Sequence, residues 1–411
     1  MSTPSPGRDA LEAAGAPPRS LPGRLAALAA LATAALPLAF GACGGSGDDD
    51  NYDVTGAASY AWQLPAGFPE PAVPADNPMS VEKVELGRRL FYDQRMSANG
   101  TMACASCHDQ ARAFSDGRAL PEGSTGQILP RNAMGLANVA YSVTYTWANP
   151  TLDTLEKQAL VPLFGEAPVE LGWTGRENEI LARLRDDETL RGGFERAFAG
   201  EGDPVTTANV AKALASFERT LVSGGSAYDR YAYGGEPGAL SESAARGLDL
   251  FFSEKLECYH CHGGITFSES FRSKDTRVRE TGFHNTGLYN VDGSGAYPAD
   301  NPGLKEFTND PRDMGKFRVP SLRNVALTAP YMHDGSIATL AEVLDHYAAG
   351  GRNVEAGPRA GDGRASPVKD ALVRAFPLSE QERADVIAFL ESLTDEAFTR
   401  DPRFAPPADA P

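Results

Sequence analysis

The pattern Cys-x-x-Cys-His occurs twice in this chain, as Cys104-Ala105-Ser106-Cys107-His108 and as Cys258-Tyr259-His260-Cys261-His262. Two thiols at that spacing can each bond one vinyl group of a haem, and the adjacent imidazole then falls under the ring as an axial ligand of the iron. This constrains the fold more than any other feature. A domain built on such a motif wraps a large flat group, which itself fills much of the core. The same four thiols could close a zinc site or work as thiol–disulfide pairs. Neither alternative explains why His follows the second Cys both times, and no βαβ pattern surrounds either pair. The expected fold is mainly α, with two cytochrome c-like haem domains in tandem and long loops. The expected chemistry is redox.

Of five cysteines, only Cys43 lies outside the motifs. Arg19 and Arg24 precede an apolar run from Leu25 to Phe40, and Gly41-Ala42-Cys43 follows it. A charged start, a short apolar stretch and small residues at the break describe an export signal. A Cys directly after Gly-Ala resembles a bacterial lipoprotein cleavage box. Residues 1–43 are therefore expected to be a signal peptide of lipoprotein type, lipid-anchored through Cys43. The protein is then periplasmic or otherwise extracytoplasmic, the compartment in which c-type haems are attached. Residues 44–77, rich in Gly, Asp, Pro and Ala, read as a flexible linker. The formal net charge of -17 disfavours nucleic acid and anionic membrane surfaces as partners.

A repeat organises the rest. Gly87-Arg88-Arg89-Leu90-Phe91-Tyr92 precedes the first motif and Gly247-Leu248-Asp249-Leu250-Phe251-Phe252 precedes the second. This predicts two copies of one domain, at 78–235 and 236–396, with a tail over 397–411. Val210, Leu214, Phe217 and Leu221 recur at helical spacing, as do Val386, Phe389, Leu390 and Leu393. Ser379-x-x-Glu382 and Thr339-x-x-Glu342 are capping boxes. Tyr289 to Pro302 and Gly350 to Pro367 read as loops.

An iron with one protein ligand can bind peroxide, whereas one with two mainly moves electrons. No His lies between His108 and Cys258 beyond the motif's own, and Met134 is the only Met there. The first haem is thus expected to have an open face. The second has six candidate partners: His284, Met314, Met332, His333, His346 and Tyr347. Periodicity does not choose among them.

The two motifs, together with Phe317-Arg318-Val319-Pro320-Ser321-Leu322-Arg323-Asn324 and Thr328-Ala329-Pro330-Tyr331-Met332-His333-Asp334-Gly335, resemble the bacterial di-haem cytochrome c peroxidase and MauG superfamily over roughly residues 76–396. The resemblance implies roles by matched position. His108 ligates the iron of haem 1, and Tyr347 falls where MauG-type members place a Tyr ligand opposite His262, with His346 as the rival. Gln127 stands near the position of the peroxidases' blocking loop His, which implies a first haem open without activation. Gln158 and Glu170 match the distal pair that would handle peroxide, with Glu166 as the alternative acid, and Pro162 matches a pocket-shaping Pro. Trp147 matches the Trp between the haems. The Asn132 side chain and the carbonyls of Thr328 and Pro330 match the ligands of a calcium ion.

Within the superfamily, Ser124-Thr125-Gly126-Gln127, Ala137-Asn138-Val139-Ala140-Tyr141 and Leu163-Phe164-Gly165-Glu166 resemble the branch called MbnH. That branch implies an exported copper-binding partner, MbnP, whose Trp is oxidised. The expectation is an enzyme that reacts with hydrogen peroxide, shares a high-valent state between two haems and oxidises a partner Trp by long-range electron transfer. The alternative is a peroxidase that reduces peroxide with electrons from a small redox protein.

Overall fold

The computed structural model describes residues 60–277 and 281–408. The expected signal peptide and Cys43 lie outside the described residues. Ten helices carry the described chain: α1 (Val81–Tyr92), α2 (Leu155–Phe164), α3 (Glu177–Asp186), α4 (Glu188–Ala197), α5 (Thr207–Glu218), α6 (Ala227–Ala232), α7 (Glu242–Phe251), α8 (Lys305–Thr308), α9 (Leu340–Ala348) and α10 (Glu380–Glu391). Strand is confined to two antiparallel pairs of two residues each, Phe283–His284 with Phe317–Arg318 and Asn353–Val354 with Gly361–Asp362.

Most of the longer helices begin at a side-chain cap. Ser80, Thr154, Asp187, Thr206, Ser241, Thr339 and Ser379 each accept a backbone N–H of the first turn, satisfying donors that have no intrahelical partner. Both capping boxes read from the sequence are formed.

The repeat is visible as packing. α1 lies on α5 and α7 lies on α10. At each crossing the helices touch at a glycine. A Cβ on Gly87 would stand 1.9 Å from the Ala213 carbonyl oxygen, and one on Gly247 would stand 1.9 Å from that of Asp385. Phe217 and Phe389 close the two crossings from the same side. Each motif occupies a 3₁₀ turn just beyond, at Cys104–Ser106 and Cys258–His260.

The correspondence continues past both long helices. Asn138 and Asn324 each adopt a left-handed conformation, with φ of 60° in both. Asn138 N–H donates to the Leu221 carbonyl and Asn324 N–H to that of Leu393. Asn138 Oδ1 receives the N–H of Ser223, and Asn324 Oδ1 that of Asp395. These equivalent chain segments meet where the halves join: the Asp395 carboxylate accepts from Ser223 Oγ, Gly224 N–H and Gly225 N–H.

Two expectations change here. The described part of the presumed linker, residues 60–77, packs on the body. Phe68 and Asn77 are buried, Tyr141 Oη donates to the Pro69 carbonyl at 2.8 Å, and Glu70 pairs with Lys274. An apolar ring and polar groups with partners hold it down, so its Pro and Gly content marks irregular backbone rather than freedom. The tail also returns. Phe398 and Phe404 enter the core of the first half, Phe398 lying edge-on to Phe114 at 5.7 Å. Gln110 Nε2 donates to the carbonyls of Phe398 and Asp401.

Candidate active site: two haem-binding motifs and the cavity between them

Both motif histidines are prepared as ligands in the same way. His108 Nδ1 lies 2.8 Å from the Phe114 carbonyl oxygen, and His262 Nδ1 lies 2.9 Å from that of Phe267. Phe114 and Phe267 have φ of 63° and 51°, which turns the chain back over each ring. A proton held on Nδ1 leaves Nε2 as the free donor. Burial lowers the pKa of both imidazoles, that of His262 to about 4, so the neutral, ligating form prevails. Cys104, Cys107, Cys258 and Cys261 are all free thiols. This donor set suits haem c at both motifs: two sulphurs for the vinyl groups and one free imidazole nitrogen.

A cavity of about 290 Å³ opens at the second motif. Cys258, Cys261 and His262 line it, with Leu340, Val343, Leu344 and Tyr347 from α9 and Val386 and Leu390 from α10. Its far end reaches Ala113 and Met134, residues beside His108. Trp147, Asn132, Thr328 and Pro330 stand along it.

Four of the six candidates for the second iron, His284, Met332, His333 and Tyr347, line this cavity, and they differ in what else holds them. Tyr347 is on the cavity wall, and burial, with the Cys261 and Cys258 sulphurs adding, pushes its phenol pKa up. His346 is buried and does not line this wall; its ring interacts with the Thr286 backbone. His284 is held by Glu269 and Asp370 at 2.6 Å each. Hydrogen bonds to Cys261, Glu269 and Asp370 outweigh burial and push its pKa up to about 11. His333 stacks on Phe317 at 3.6 Å, and burial takes its pKa down to about 3. Met332 lines the cavity at a φ of 73°. Met314 packs into a small apolar cluster with Tyr289 and Tyr297.

Near the first motif, Met134 is engaged elsewhere, its sulphur accepting from Arg318 at 3.3 Å. Glu170 is mostly buried, and desolvation pushes its carboxyl pKa up to about 7. Its charge acts on the sulphurs of both Cys104 and Cys107, which places it at the first haem's site. The backbone around it is pinned: Ser124 N–H donates to the Glu170 carbonyl and Leu171 N–H to that of Pro162. Gln158 and Pro162 sit one turn apart on α2. Glu166 is exposed. Gln127 is exposed as well, and its Oε1 accepts the Val169 N–H at 3.0 Å. It braces the Glu170 segment. Trp147 is fixed by its indole, whose N–H donates to the Asn132 carbonyl at 2.8 Å.

One residue the sequence reading passed over is Glu218, at the end of α5. It is 6 % exposed, and its Oε2 is buried without a partner. The signal was available in the repeat, because Phe217 and Phe389 align the two long helices.

Residues 81–237 match the family model described as di-haem cytochrome c peroxidase. The chain is 33 % identical to the methylamine utilization protein MauG of Methylorubrum extorquens, over 87 % of this chain and 89 % of that protein. It is 36 % identical to cytochrome-c peroxidase IdrP1 of a Pseudomonas species, over 80 % of this chain and 85 % of that one. Among solved structures, a MauG-like protein associated with microbial copper homeostasis superposes with a TM-score of 0.83 at 53 % identity, covering 85 % of this chain and 99 % of that one. The di-haem peroxidase BthA of Burkholderia thailandensis, at 20 % identity and a TM-score of 0.61, shares the fold.

Two haem-binding motifs with prepared histidines, set on a doubled helical fold, define a di-haem peroxidase-type oxidoreductase. The chain belongs to the di-haem cytochrome c peroxidase family that includes MauG. It carries two haems and acts on peroxide.

Proposed function

We propose that this enzyme uses hydrogen peroxide to oxidise a Trp of an exported partner protein by electron transfer through its own body. The observation that carries the reading is the placement of Trp147 and Tyr347 on one cavity that runs from beside His108 to His262. That cavity offers a route for charge between two motifs of unequal character. The likeness to a MauG-like protein associated with copper homeostasis favours a copper-binding partner of the MbnP kind.

Haem c held by Cys104, Cys107 and His108 would supply the iron at which peroxide reacts, and haem c held by Cys258, Cys261, His262 and Tyr347 would supply a store for oxidising equivalents. The peroxide-reactive role falls to 78–235 and the electron-transfer role to 236–396. The protein side of the chemistry is proton handling. Glu170 as a carboxylate takes the proton from the near oxygen of peroxide and returns it to the far one, which makes that oxygen a good leaving group. Gln158 orients the peroxide by hydrogen bonding. Each peroxide consumes two electrons and two protons and leaves as two waters. The electrons come from the partner, relayed by Trp147, whose indole is held in one orientation by Asn132. Burial keeps the free Tyr347 phenol protonated; bound to the second iron it would lose that proton, and the phenolate would favour the oxidised state of that site.

A calcium ion would be held beside this relay by oxygen donors that line the same cavity. Asn132 Nδ2 donates to the Arg118 carbonyl at 2.7 Å, which leaves the amide oxygen to join the Thr328 and Pro330 carbonyls, and oxygen donors suit that ion. An extracytoplasmic location, with a lipid anchor at Cys43, completes the reading. None of the described helices is long and apolar enough to cross a membrane.

The test is spectroscopy of the oxidised holoprotein before and after stoichiometric peroxide, followed by incubation with the partner and mass analysis of its Trp. One high-spin and one low-spin haem, a new long-lived near-infrared band and a modified Trp are expected. Two low-spin haems indifferent to peroxide would sink the proposal. The 36 % identity to a cytochrome-c peroxidase favours a second reading, reduction of peroxide with electrons from a small redox protein. It predicts steady turnover with reduced cytochrome and no change in the partner's Trp.

A further inference from the structure

The two halves superimpose in logic residue by residue along their long helices. Ala213 and Asp385 meet the two crossing glycines, Phe217 and Phe389 close the crossings, and Leu221 and Leu393 receive the two asparagine N–H groups. One step past Phe389 is Leu390, on the wall of the second haem's cavity. One step past Phe217 is Glu218. An apolar wall position in one half is therefore a carboxyl in the other.

Glu218 is an unusual acid to place there. It is 6 % exposed, and its Oε2 is buried with no hydrogen-bond partner. Arg219 beside it is committed to Glu156, at 2.8 and 3.0 Å. The charge of Glu218 is felt at the Cys104 sulphur, a point of haem attachment. Burial, opposed by Arg219 and reinforced by Glu156, pushes the carboxyl pKa up to about 8. Arg219 and Glu156 are the charged groups that act on it. α1, packed alongside, buries Leu86, Leu90 and Phe91 there, and its buried cation Lys83 is coupled to Glu156 and Arg219 instead.

We propose that Glu218 is a redox-linked proton site serving the first haem alone: its carboxyl takes up one proton from solvent when one electron arrives at the His108 site and releases it when that electron leaves. The electron comes from the partner donor or from an electrode. The physical reason is Coulombic. Loss of one positive charge nearby raises a buried carboxylate's affinity for a proton, and the weak screening inside the protein makes the coupling strong. The neutral form keeps the site from carrying an uncompensated charge in the reduced state. Leu390 cannot do this, so the second haem has no counterpart of Glu218 at the matched position; the titratable group nearest its cysteines is His284, whose pKa is pushed up to about 11. The inference rests on the family's two haems and is independent of the partner's identity.

The test is spectroelectrochemical titration of both haems of the holoprotein against pH, in the wild type and in E218Q, E218L and E170Q. In the wild type the first haem's potential should fall as pH rises around 8, and the second haem's should not share that slope. E218Q, which keeps the shape and removes the charge, should flatten it, and E218L should do the same. E170Q, which removes the acid with a pKa of about 7 beside the same motif, should take away any slope near 7 and leave the slope near 8 in place. Redox-difference infrared spectra should show a protonated-carboxyl band in the wild type that is missing in E218Q. An unchanged slope in E218Q, or a slope that disappears in E170Q instead, would overturn the proposal.

Discussion

His346 and Tyr347 are neighbours on α9 that face opposite environments. Tyr347 stands on the cavity wall with Cys258, Cys261 and His262. His346 is buried elsewhere, against the Thr286 backbone. Of these two neighbours only Tyr347 lines the cavity that holds Cys258, Cys261 and His262.

Replacement of Tyr347 should therefore change the second haem and replacement of His346 should not. Tyr347→Phe is expected to convert the low-spin signal of that haem to high-spin in the oxidised holoprotein. His346→Ala should keep the low-spin signal and lower stability, because it empties a buried site. Electron paramagnetic resonance and thermal unfolding read the two effects separately. A low-spin signal that survives Tyr347→Phe removes Tyr347 as ligand.

Glu170 sets a pH dependence with a definite sign. Burial raises its pKa to about 7, so it is a neutral acid below that value and a carboxylate above it. A proton acceptor must be the carboxylate. The rate of reaction with peroxide should rise with pH through about 7 and then level. Glu170→Gln should lower that rate by about 10² to 10⁴-fold, the usual worth of a positioned acid–base group, with no such rise. Stopped-flow traces at a series of pH values decide this. A pH profile shared by wild type and variant would assign the group elsewhere.

The helix crossings leave no room for a methyl group. Gly87→Ala and Gly247→Ala each put a Cβ 1.9 Å from a backbone oxygen, and helix backbone cannot step aside as a side-chain tip can. Each is expected to cost about 1–3 kcal/mol, as overpacking does, and to lower haem incorporation in its own half. Differential scanning calorimetry and the haem-to-protein ratio measure both. Wild-type stability in either variant would mean the crossing is looser than described.

Arg323 joins three parts of the chain. Its guanidinium donates to both oxygens of Asp229 at 2.7 Å and to the Ile265 carbonyl at 2.7 Å, and it lies over the rings of Phe68 and Phe267. Both charges of the pair are buried. Arg323→Ala leaves Asp229 charged and unpaired, which should cost about 3–5 kcal/mol. The double variant Arg323→Met with Asp229→Leu should recover much of that loss, and urea unfolding compares them. Equal loss in single and double variants would place the cost in packing rather than charge.

Chain chemistry alone told much of this. Two Cys-x-x-Cys-His motifs, a repeated Gly-to-aromatic stretch and two capping boxes are local patterns, and local patterns survive being read one residue at a time. Residues 60–77 and 397–408 were not readable in this way. Their composition suggests freedom, yet Phe68, Phe398 and Phe404 find partners far away in sequence, and a distant partner leaves no local trace.

The sequence by itself thus determined where haem is attached and that two similar halves carry it. Tertiary structure alone decided which way each side chain faces. Periodicity puts Tyr347 and His346 on different sides of a helix, but only the packing of α9 says which side meets the cavity. The same is true of Glu218. As one letter it is a surface-type residue at a helix end. One residue past Phe217, with its cation neighbour already paired, it becomes a buried acid whose charge is felt at Cys104, because burial and charge are properties of the assembled environment.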